Sequence, residues 1–593
     1  MHNDPSLEKI KDAKSTIKRI VKYLKKYKFK FMLVLLFIVA YITFNTLISL
    51  MLTPIIDNYI IPLIKDSSNK VLLSGLFKQI LIFLIFVICA ALAQYFQYYT
   101  MVKIAAYTVR DMRRDLFDKL IVLPIKYYDT HHSGELMSRI TNDLDNVSTC
   151  LNSSIDQIVC AVLNVIVTLI VMISISPKLT LISVITIPVL MIASIIIMKL
   201  TTKHFEKQQK SLGDLNGYIE EYISGQKVIK AFNKEKDVIA DFDKYNLNLR
   251  RDGFKAQAYG SVIMPVMMSL NNISIAIICI VSGIMAIKGK ISIGKITSFN
   301  KFSRQLSDPI NEISQQMSII QSALAGAERV FEIMDEKKEF EGLSCNEKLT
   351  NVKGKISFES VNFGYDDKLV LKNFSLSVKP GETIAIVGPT GAGKTTIINL
   401  LTRFYDTNSG KILIDDKNIK DVSVYSLRNN LGIVLQDTVL FSMSVKDNLR
   451  FGKLNASDDE IVKACKYANA DSFITKLPLK YDTILNEDVN NLSIGQKQLL
   501  NIARVILNNP KILILDEATS NVDTRTELKI NEAMVRLMKG RTSFVIAHRL
   551  STIRNADRIV VINDGRIVEI GNHSDLIKKH GVYFKMYTGM FEE

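Results

Sequence analysis

The stretch TIAIVGPTGAGKTTIINLL, from Thr383 to Leu401, decides how the C-terminal half of the chain folds. Its first five residues are apolar or β-branched, which predicts a buried strand, and the residues after the glycines predict a helix. A strand, a glycine-rich loop ending in Lys-Thr and a helix, in this order, form a phosphate-binding loop. The stretch therefore predicts an α/β nucleotide-binding domain.

The loop matches the spacing Gly-x4-Gly-Lys-Thr between Gly388 and Thr395. Backbone N–H groups of such a loop cradle phosphates, the lysine (Lys394) reaches the β- and γ-phosphates, and the hydroxyl of Thr395 coordinates Mg²⁺. The residues in this stretch predicted to bind ATP are Gly388, Thr390, Gly391, Gly393, Lys394, Thr395 and Thr396.

Two further strands end in residues that suit the same chemistry. KILILDEATS is an apolar run ending in Asp516, which suits Mg²⁺, and Glu517, which can polarise an attacking water. SFVIA ends at His548, where an imidazole can meet the γ-phosphate. Acids at a strand end are often helix caps and a lone histidine is usually a packing residue, but the phosphate loop favours the catalytic interpretation.

The N-terminal half carries long apolar stretches instead. Each reaches about 20 residues, the length that crosses a bilayer as a helix. The five stretches are Phe31–Ile56, Gln79–Val102, Gln157–Pro177, Leu179–Met198 and Ala256–Ile287. The net charge of +16 could suggest a nucleic-acid partner. However, residues 1–30 hold ten Lys and Arg against three acids directly before the first span, and this placement indicates a cytoplasmic N-terminus instead.

Five spans from a cytoplasmic N-terminus would leave the ATP motifs outside the cell, so a sixth span is predicted within residues 291–325. This stretch contains Lys301, Arg304, Asp308 and Glu312, which fall within roughly 80° of one another on a helix. This face either lines a substrate path or simply holds an Arg304–Asp308 pair with the others near the interface.

The connections between spans complete the predicted organisation. Residues 103–155 and 199–255 form long inward connections, and residues 17–24 space apolar side chains as an interfacial helix. We expect a six-helix membrane domain at 1–330, a linker at 331–354 and an ATP-binding domain at 355–593.

Together these motifs make the chain similar to an ABC transporter half-subunit of the exporter type. The resemblance implies an α-helical membrane domain of six transmembrane helices fused to an α/β P-loop nucleotide-binding domain, with ATP and Mg²⁺ as cofactors. It implies that Tyr365 stacks on adenine, that Gln436 senses Mg²⁺ and the attacking water, and that Asp523 crosses a dimer interface. It places short coupling helices near Tyr127–Asp129 and Gly225–Lys230, and gives Glu487 contact with the inward loops. The first coupling helix is expected to dock mainly on this subunit's own ATPase domain, and the second on the partner's.

The family's LSGGQ signature reads Leu492-Ser493-Ile494-Gly495-Gln496 in this chain. In related transporters these residues, here Ser493, Gly495 and Gln496, grip ATP bound to the opposite subunit. Ile494 replaces a glycine that permits unusual backbone angles and close approach, whereas a β-branched residue is stiff and bulky. An irregular signature beside an intact Glu517 resembles one member of a heterodimer; the alternative is a homodimer that tolerates Ile494.

The resemblance implies ATP-driven efflux of hydrophobic or amphipathic compounds across a bacterial plasma membrane, by alternating access and with a second half-transporter as partner. The partners expected are thus that subunit, the lipid bilayer and a hydrophobic small molecule, without nucleic acid. A lipid or peptide exporter and an ATP-gated channel of the same architecture are the alternatives.

Overall fold

The computed structural model describes residues 12–66, 68–339, 347–435, 438–486, 491–517, 523–547 and 553–589. These residues form two compact units. The first is the described part of residues 1–122 and 132–337, and the second is the described part of residues 123–131 and 338–593.

The N-terminal part of the chain is helical. Its helices are α1 (Ala13–Lys25), α2 (Lys28–Ile55), α3 (Ile61–Lys65), α4 (Lys70–Leu120), α5 (Ile125–Thr130), α6 (Ser133–Ser138), α7 (Leu144–Thr149), α8 (Ile155–Ile175), α9 (Pro177–Ser224), α10 (Gln226–Ala231), α11 (Glu235–Ser261), α12 (Ile263–Ile287) and α13 (Ile293–Asp335). Three π-helical turns lie at Ile56–Ile60, Arg139–Asp143 and Cys150–Ser154. Of these helices only α5 belongs to the second unit.

Four helical runs among the described residues are long and apolar enough to cross a membrane. They cover Lys28–Lys65, Lys70–Leu120, Ser133–Ile175 and Glu235–Ile287. The predicted fourth and sixth spans lie in α9 and α13, which are continuous helices of 48 and 43 residues. This unit is therefore a helical membrane domain, and the count of six spans stays a prediction.

Apolar side chains cover much of the outside of these helices, where a bilayer replaces water as solvent. Leu33 and Leu36 on α2 and Ile80 and Leu81 on α4 are all exposed. Lipid chains cannot accept hydrogen bonds, so a helix, which satisfies its own backbone groups, is the structure that these apolar sequences can form there.

Smaller clusters of buried apolar side chains join the helices to one another. Val34 and Ile38 on α2 pack with Met101 and Ile104 on α4. A second cluster joins α8, α12 and α13 through residues such as Met172, Ile278, Phe299 and Phe302. Since lipid tails are as apolar as these side chains, close packing between the helices, rather than transfer out of water, stabilises these clusters.

Several helices continue well past their apolar stretches, as the polar connections predict. Helix α4 has 51 residues, which at 1.5 Å per residue is about 75 Å and exceeds the roughly 30 Å hydrocarbon thickness. The short helices α5 and α10 lie at the two positions predicted for coupling helices. The segment 123–131, which the sequence places in the membrane domain, groups with the second unit.

The polar face predicted on the sixth span lies on α13. Arg304 on α13 is exposed and Lys301 is half-buried. The side chains of Asp308 and Glu312 lie outside the described residues, so both interpretations of this face stay open.

The second unit alternates strands and helices as predicted. Its strands are β1 (Ile356–Phe363), β2 (Leu371–Val378), β3 (Thr383–Val387), β4 (Ser409–Ile414), β5 (Lys417–Asn418), β6 (Leu431–Val434), β7 (Ile512–Glu517), β8 (Thr542–Ala547), β9 (Arg558–Asn563) and β10 (Arg566–Gly571). Its helices after α5 are α14 (Lys394–Leu401), α15 (Val424–Asn429), α16 (Val445–Arg450), α17 (Asp458–Tyr467), α18 (Asp471–Ile474), α19 (Ile494–Asn508), α20 (Thr524–Met538), α21 (His573–Lys578) and α22 (Val582–Gly589).

Two sheets organise these elements. One is antiparallel with the order β2-β1-β4-β5, and the other has the order β10-β9-β3-β8-β7-β6. In the second sheet β9, β3, β8, β7 and β6 run parallel, while β10 is antiparallel. Since parallel strands end at the same edge, the carboxyl ends of β3, β7 and β8 lie side by side, which is where open α/β sheets hold ligands.

Candidate nucleotide site

The glycines of the predicted phosphate loop hold the chain in conformations that other residues resist. Gly391 and Gly393 have φ values of +82° and +101°, in the left-handed region where a side chain is strained. A Cβ atom on Gly388 would lie 2.3 Å from the carbonyl oxygen of Ile562 on β9. The loop is therefore a tightly packed cradle that only glycine can build at these points.

Lys394 is the first residue of α14 and turns back over this loop. Its Nζ donates hydrogen bonds to the carbonyl oxygens of Gly388 at 2.6 Å and Pro389 at 3.1 Å. Burial lowers the pKa of the Lys394 amine, while the negative charge of Asp516 acts in the opposite direction. The ammonium thus sits above the cradle, near the end of β7, in a partly desolvated position where an anion would be attracted strongly.

The two threonines after Lys394 have different surroundings. Thr395 is exposed, whereas Thr396 is buried and its Oγ1 lies 3.4 Å from the hydroxyl of Tyr365. An exposed hydroxyl in the first turn of the helix remains accessible to a ligand. The structure therefore fits Thr395 to a ligand role better than Thr396, which packs inside the unit.

Strand β7 carries Asp516 and Glu517 at its carboxyl end, in register with Ile546 and Ala547 of β8. Asp516 is half-buried. The side chain of Glu517 lies outside the described residues, as do Gln436, Glu487 and His548. The strands that lead to Glu517 and His548 are adjacent and parallel, as their predicted shared role requires.

Tyr365, the predicted adenine-stacking residue, follows β1. Its hydroxyl accepts a hydrogen bond from Nδ2 of Asn399 on α14 at 2.9 Å. Its ring makes edge-to-face contacts with Phe363 and Tyr405, with centroids 5.0 and 4.9 Å apart. The bond from Asn399 ties the tyrosine to the helix that begins at the phosphate loop.

Tyr405 and Asp129 form a contact that the sequence does not reveal. The Tyr405 hydroxyl donates a hydrogen bond to Oδ2 of Asp129 at 2.5 Å, so α5 is attached to the second unit beside Tyr365. Burial and the neighbouring carboxylate raise the pKa of Tyr405. Ligand sites commonly have volumes of about 300 to 1,000 Å³. The cavity here has a volume of about 670 Å³, and its lining includes Lys126, Tyr365 and Tyr405.

The predicted first coupling helix therefore contacts this chain's own ATPase unit. The resemblance predicts where this helix lies in the sequence. It does not predict the hydrogen bond between Tyr405 and Asp129, because these residues are 276 positions apart. In the sequence, the only sign of this contact is an aromatic residue, Tyr405, shortly after the phosphate-loop helix.

The signature residues begin helix α19. The Ser493 hydroxyl accepts from the Gln496 backbone N–H at 3.3 Å, and the Gln496 side chain accepts from the Ser493 N–H at 2.9 Å. This capping box fixes the start of the helix. Ile494 is its first residue, so its backbone is helical, and half of its side-chain surface is exposed. Glycine's backbone freedom is thus not needed at this position, and bulk is what distinguishes Ile494 from glycine.

Asp523 begins helix α20. Its carboxylate accepts a hydrogen bond from the Thr526 backbone N–H at 3.0 Å, and bonds to Thr526 lower the pKa of the carboxyl. It is exposed. The residue predicted to cross a dimer interface is a helix cap in the single chain.

A helical membrane unit and a P-loop α/β unit in one chain define a membrane-embedded ATPase. Comparison with known families agrees: residues 31–310 match the ABC transporter transmembrane region, and residues 371–520 match the ABC transporter family. The chain belongs to the ABC transporter family, is of the exporter type, and is an ATP hydrolase coupled to transport.

Three relatives illustrate the range of this family. The uncharacterized ABC transporter ATP-binding protein YfiC of Bacillus subtilis is 47% identical over 99% of this chain and 96% of its own length. The fatty acid ABC transporter ATP-binding/permease protein of Mycobacterium bovis is 42% identical over 81% of this chain and 76% of its own. The ATP-dependent lipid A-core flippase of Syntrophus aciditrophicus is 38% identical over 84% and 83%, respectively.

Proposed function

We propose that this chain is one half of a dimeric exporter that drives hydrophobic or amphipathic compounds out across the cell membrane by alternating access. The observation that carries the proposal is the glycine cradle, closed around Lys394, in a chain whose other unit is built of membrane-length apolar helices. Exporters of this family act as dimers in a lipid membrane. We place the domains at 1–330 and 355–593, joined by 331–354, with the N-terminus and the ATPase domain in the cytoplasm.

ATP fits the cradle because its glycines present backbone N–H groups at the start of α14. Lys394 would leave its carbonyl partners and reach the β- and γ-phosphates, while Gly388, Thr390, Gly391, Gly393 and Thr396 shape the loop. Tyr365 would stack on adenine. Mg²⁺, when bound, would neutralise phosphate charge, and Thr395, Gln436 and Asp516 supply the oxygen ligands that this ion prefers.

We assign hydrolysis to Glu517, with His548 and Gln436 as the other catalytic residues. Glu517 would accept a proton from the attacking water, and His548 would contact the γ-phosphate. The Glu517→Gln variant keeps the shape of the side chain and removes the base. We expect at least a ~100-fold fall in ATP turnover with ATP binding retained; turnover within a few-fold of the native value would refute the assignment.

We further propose a heterodimer. Ser493, Gly495, Gln496 and Asp523 would act across the interface on nucleotide held by the partner, and Ile494 would weaken hydrolysis there. The partner is then expected to have a regular signature and a residue other than Glu after its Walker B aspartate. ATPase assays on this chain alone and together with its genomic neighbour test this. Strong substrate-stimulated turnover by the single chain would support the homodimer instead.

A lipid is the second candidate for the cargo. The names of two relatives, a fatty acid transporter and a lipid A-core flippase, favour it. Reconstituted vesicles supplied with ATP and either an amphipathic dye or a fluorescent lipid separate the two cargoes. Ionic currents that ATP opens but that run only down their gradient would point instead to an ATP-gated channel and contradict both.

A further inference from the structure

The membrane unit contains a polar cavity of about 340 Å³ that none of the ATPase motifs explains. Side chains from α2, α4, α8 and α13 line it, and they include Tyr41, Gln97, Tyr98, Asp156 and Gln157. Asp156 is its only charged residue among the described lining residues. A polar cavity with one carboxylate is unusual inside a membrane domain, where ionisable residues commonly mark a ligand path.

Asp156 and Gln97 are buried at this cavity and only partly paired. Each is 2% exposed, and Nε2 of Gln97 donates a hydrogen bond to Oδ2 of Asp156 at 2.8 Å. The second oxygen of the carboxylate, and the amide oxygen of Gln97, accept no hydrogen bond from the described protein atoms. The buried carboxylate of Asp156 has no cationic partner among the described lining residues, so a ligand that brings positive charge would compensate it.

The surrounding structure holds these acceptors in place. The π-helical turn Cys150–Ser154 directly precedes α8, and such turns are frequent at functional sites. The Ser154 hydroxyl donates to Oε1 of Gln316 at 2.6 Å, and Nε2 of Gln316 donates to Oε1 of Gln157 at 2.5 Å. This chain of hydrogen bonds ties α8 to α13, so Asp156 stands on a braced helix rather than a mobile loop.

From this geometry we propose that the cavity binds the cationic group of a hydrophobic organic cation, such as an alkylammonium, with Asp156 as its counter-ion. Tyr41 and Tyr98 line the same cavity, and aromatic rings are the groups that bind quaternary ammonium ions. A fatty acid would bring a second negative charge to Asp156, so the site selects against it. The inference deepens the proposed efflux function, because it names the charge class of the cargo.

The test is a binding assay on the full-length chain in detergent without nucleotide, so its result does not depend on ATP-driven transport. Tritiated tetraphenylphosphonium is the probe. Three competitors share a twelve-carbon tail: dodecyltrimethylammonium, neutral triethylene glycol dodecyl ether and anionic laurate. Dihexanoyl phosphatidylcholine and phosphatidylglycerol then show whether the cation of a lipid headgroup competes as well.

We expect dodecyltrimethylammonium to compete best. Asp156→Asn should weaken the binding of this ammonium by about tenfold or more and change the binding of the neutral ether by less than about twofold. The asparagine still accepts the bond from Gln97, so the fold is retained, and Asp156→Glu should restore cation binding. Asp118→Asn, at an exposed carboxylate paired with Arg114, is the matched control. Equal loss for all three competitors, tighter binding of laurate, or unchanged binding in Asp156→Asn would each overturn the proposal; failure of transport alone would count only against the efflux function.

Discussion

The hydroxyl of Tyr405 donates a 2.5 Å hydrogen bond to the carboxylate of Asp129. This bond joins the short helix α5 to the ATPase unit, beside the ring of Tyr365. A hydrogen bond to a charged acceptor is stronger and more directional than a neutral one. Tyr405 therefore links the predicted adenine contact to the predicted coupling helix.

Tyr405→Phe should uncouple ATP hydrolysis from transport. The substitution removes the hydroxyl but keeps the ring that packs against Tyr365, so we expect basal ATPase activity within about twofold and transport reduced about fivefold. Parallel assays of ATPase and vesicle transport measure the two quantities. Tyr467→Phe, which removes a hydroxyl bonded to a backbone oxygen elsewhere in the same unit, is the control. Loss of both activities in proportion would show that the bond supports the fold alone.

Gly393→Ala should damage the nucleotide site. Its φ of +101° strains any side chain, and the added Cβ would lie 2.9 Å from Cδ2 of Leu371. We expect a loss of about 2 kcal/mol in the free energy of unfolding and weaker binding of a fluorescent ATP analogue. Gly217→Ala on α9, where the added Cβ meets nothing within 4 Å, should leave nucleotide binding unchanged. If Gly393→Ala bound the ATP analogue as tightly as the native protein, nucleotide binding would not depend on the backbone conformation that glycine allows at this position.

Ile494→Gly tests the irregular signature. Since Ile494 has helical backbone and a half-exposed side chain, glycine removes bulk at a cost to α19 of about 0.5 kcal/mol. We expect ATP turnover by the assembled dimer to rise severalfold if the side chain obstructs the opposite nucleotide. Ser493→Ala removes the cap instead and should lower turnover. Unchanged turnover in Ile494→Gly would make the isoleucine a neutral replacement.

Cys465 should resist alkylation in the folded protein. Burial raises the pKa of its thiol from 9.0 to about 12, so at pH 8 its thiolate is roughly a thousandfold scarcer than that of an ordinary thiol. The folded state holds this proton longer than the unfolded state, so its contribution to stability is complete below pH 9 and is lost as the pH rises towards 12. Mass spectrometry after maleimide treatment should find Cys465 modified only when urea is present. Rapid labelling in the native protein would contradict its burial.

Local signals in the sequence predicted those parts of the molecule that local physics determines. The strand, loop and helix around Lys394 follow from residue type and spacing, and so does the strand ending in Asp516. Contacts between distant segments could not be predicted this way. Asp156 illustrates the limit. It directly precedes the apolar run that begins at Gln157, so hydropathy places it at the boundary of a span. The cavity around it forms only because four helices pack together.

Helix α1 makes its ion pair with the last part of the membrane unit. Arg19 pairs with Asp335 across 316 residues, and Tyr23 bonds to Asp115 on α4. During synthesis the ribosome produces α1 first and the end of α13 only after every other membrane helix. A nascent chain that stops early therefore leaves Arg19 without this carboxylate, so the Arg19–Asp335 pair, unlike the Tyr23–Asp115 bond to α4, forms only once the membrane unit is complete.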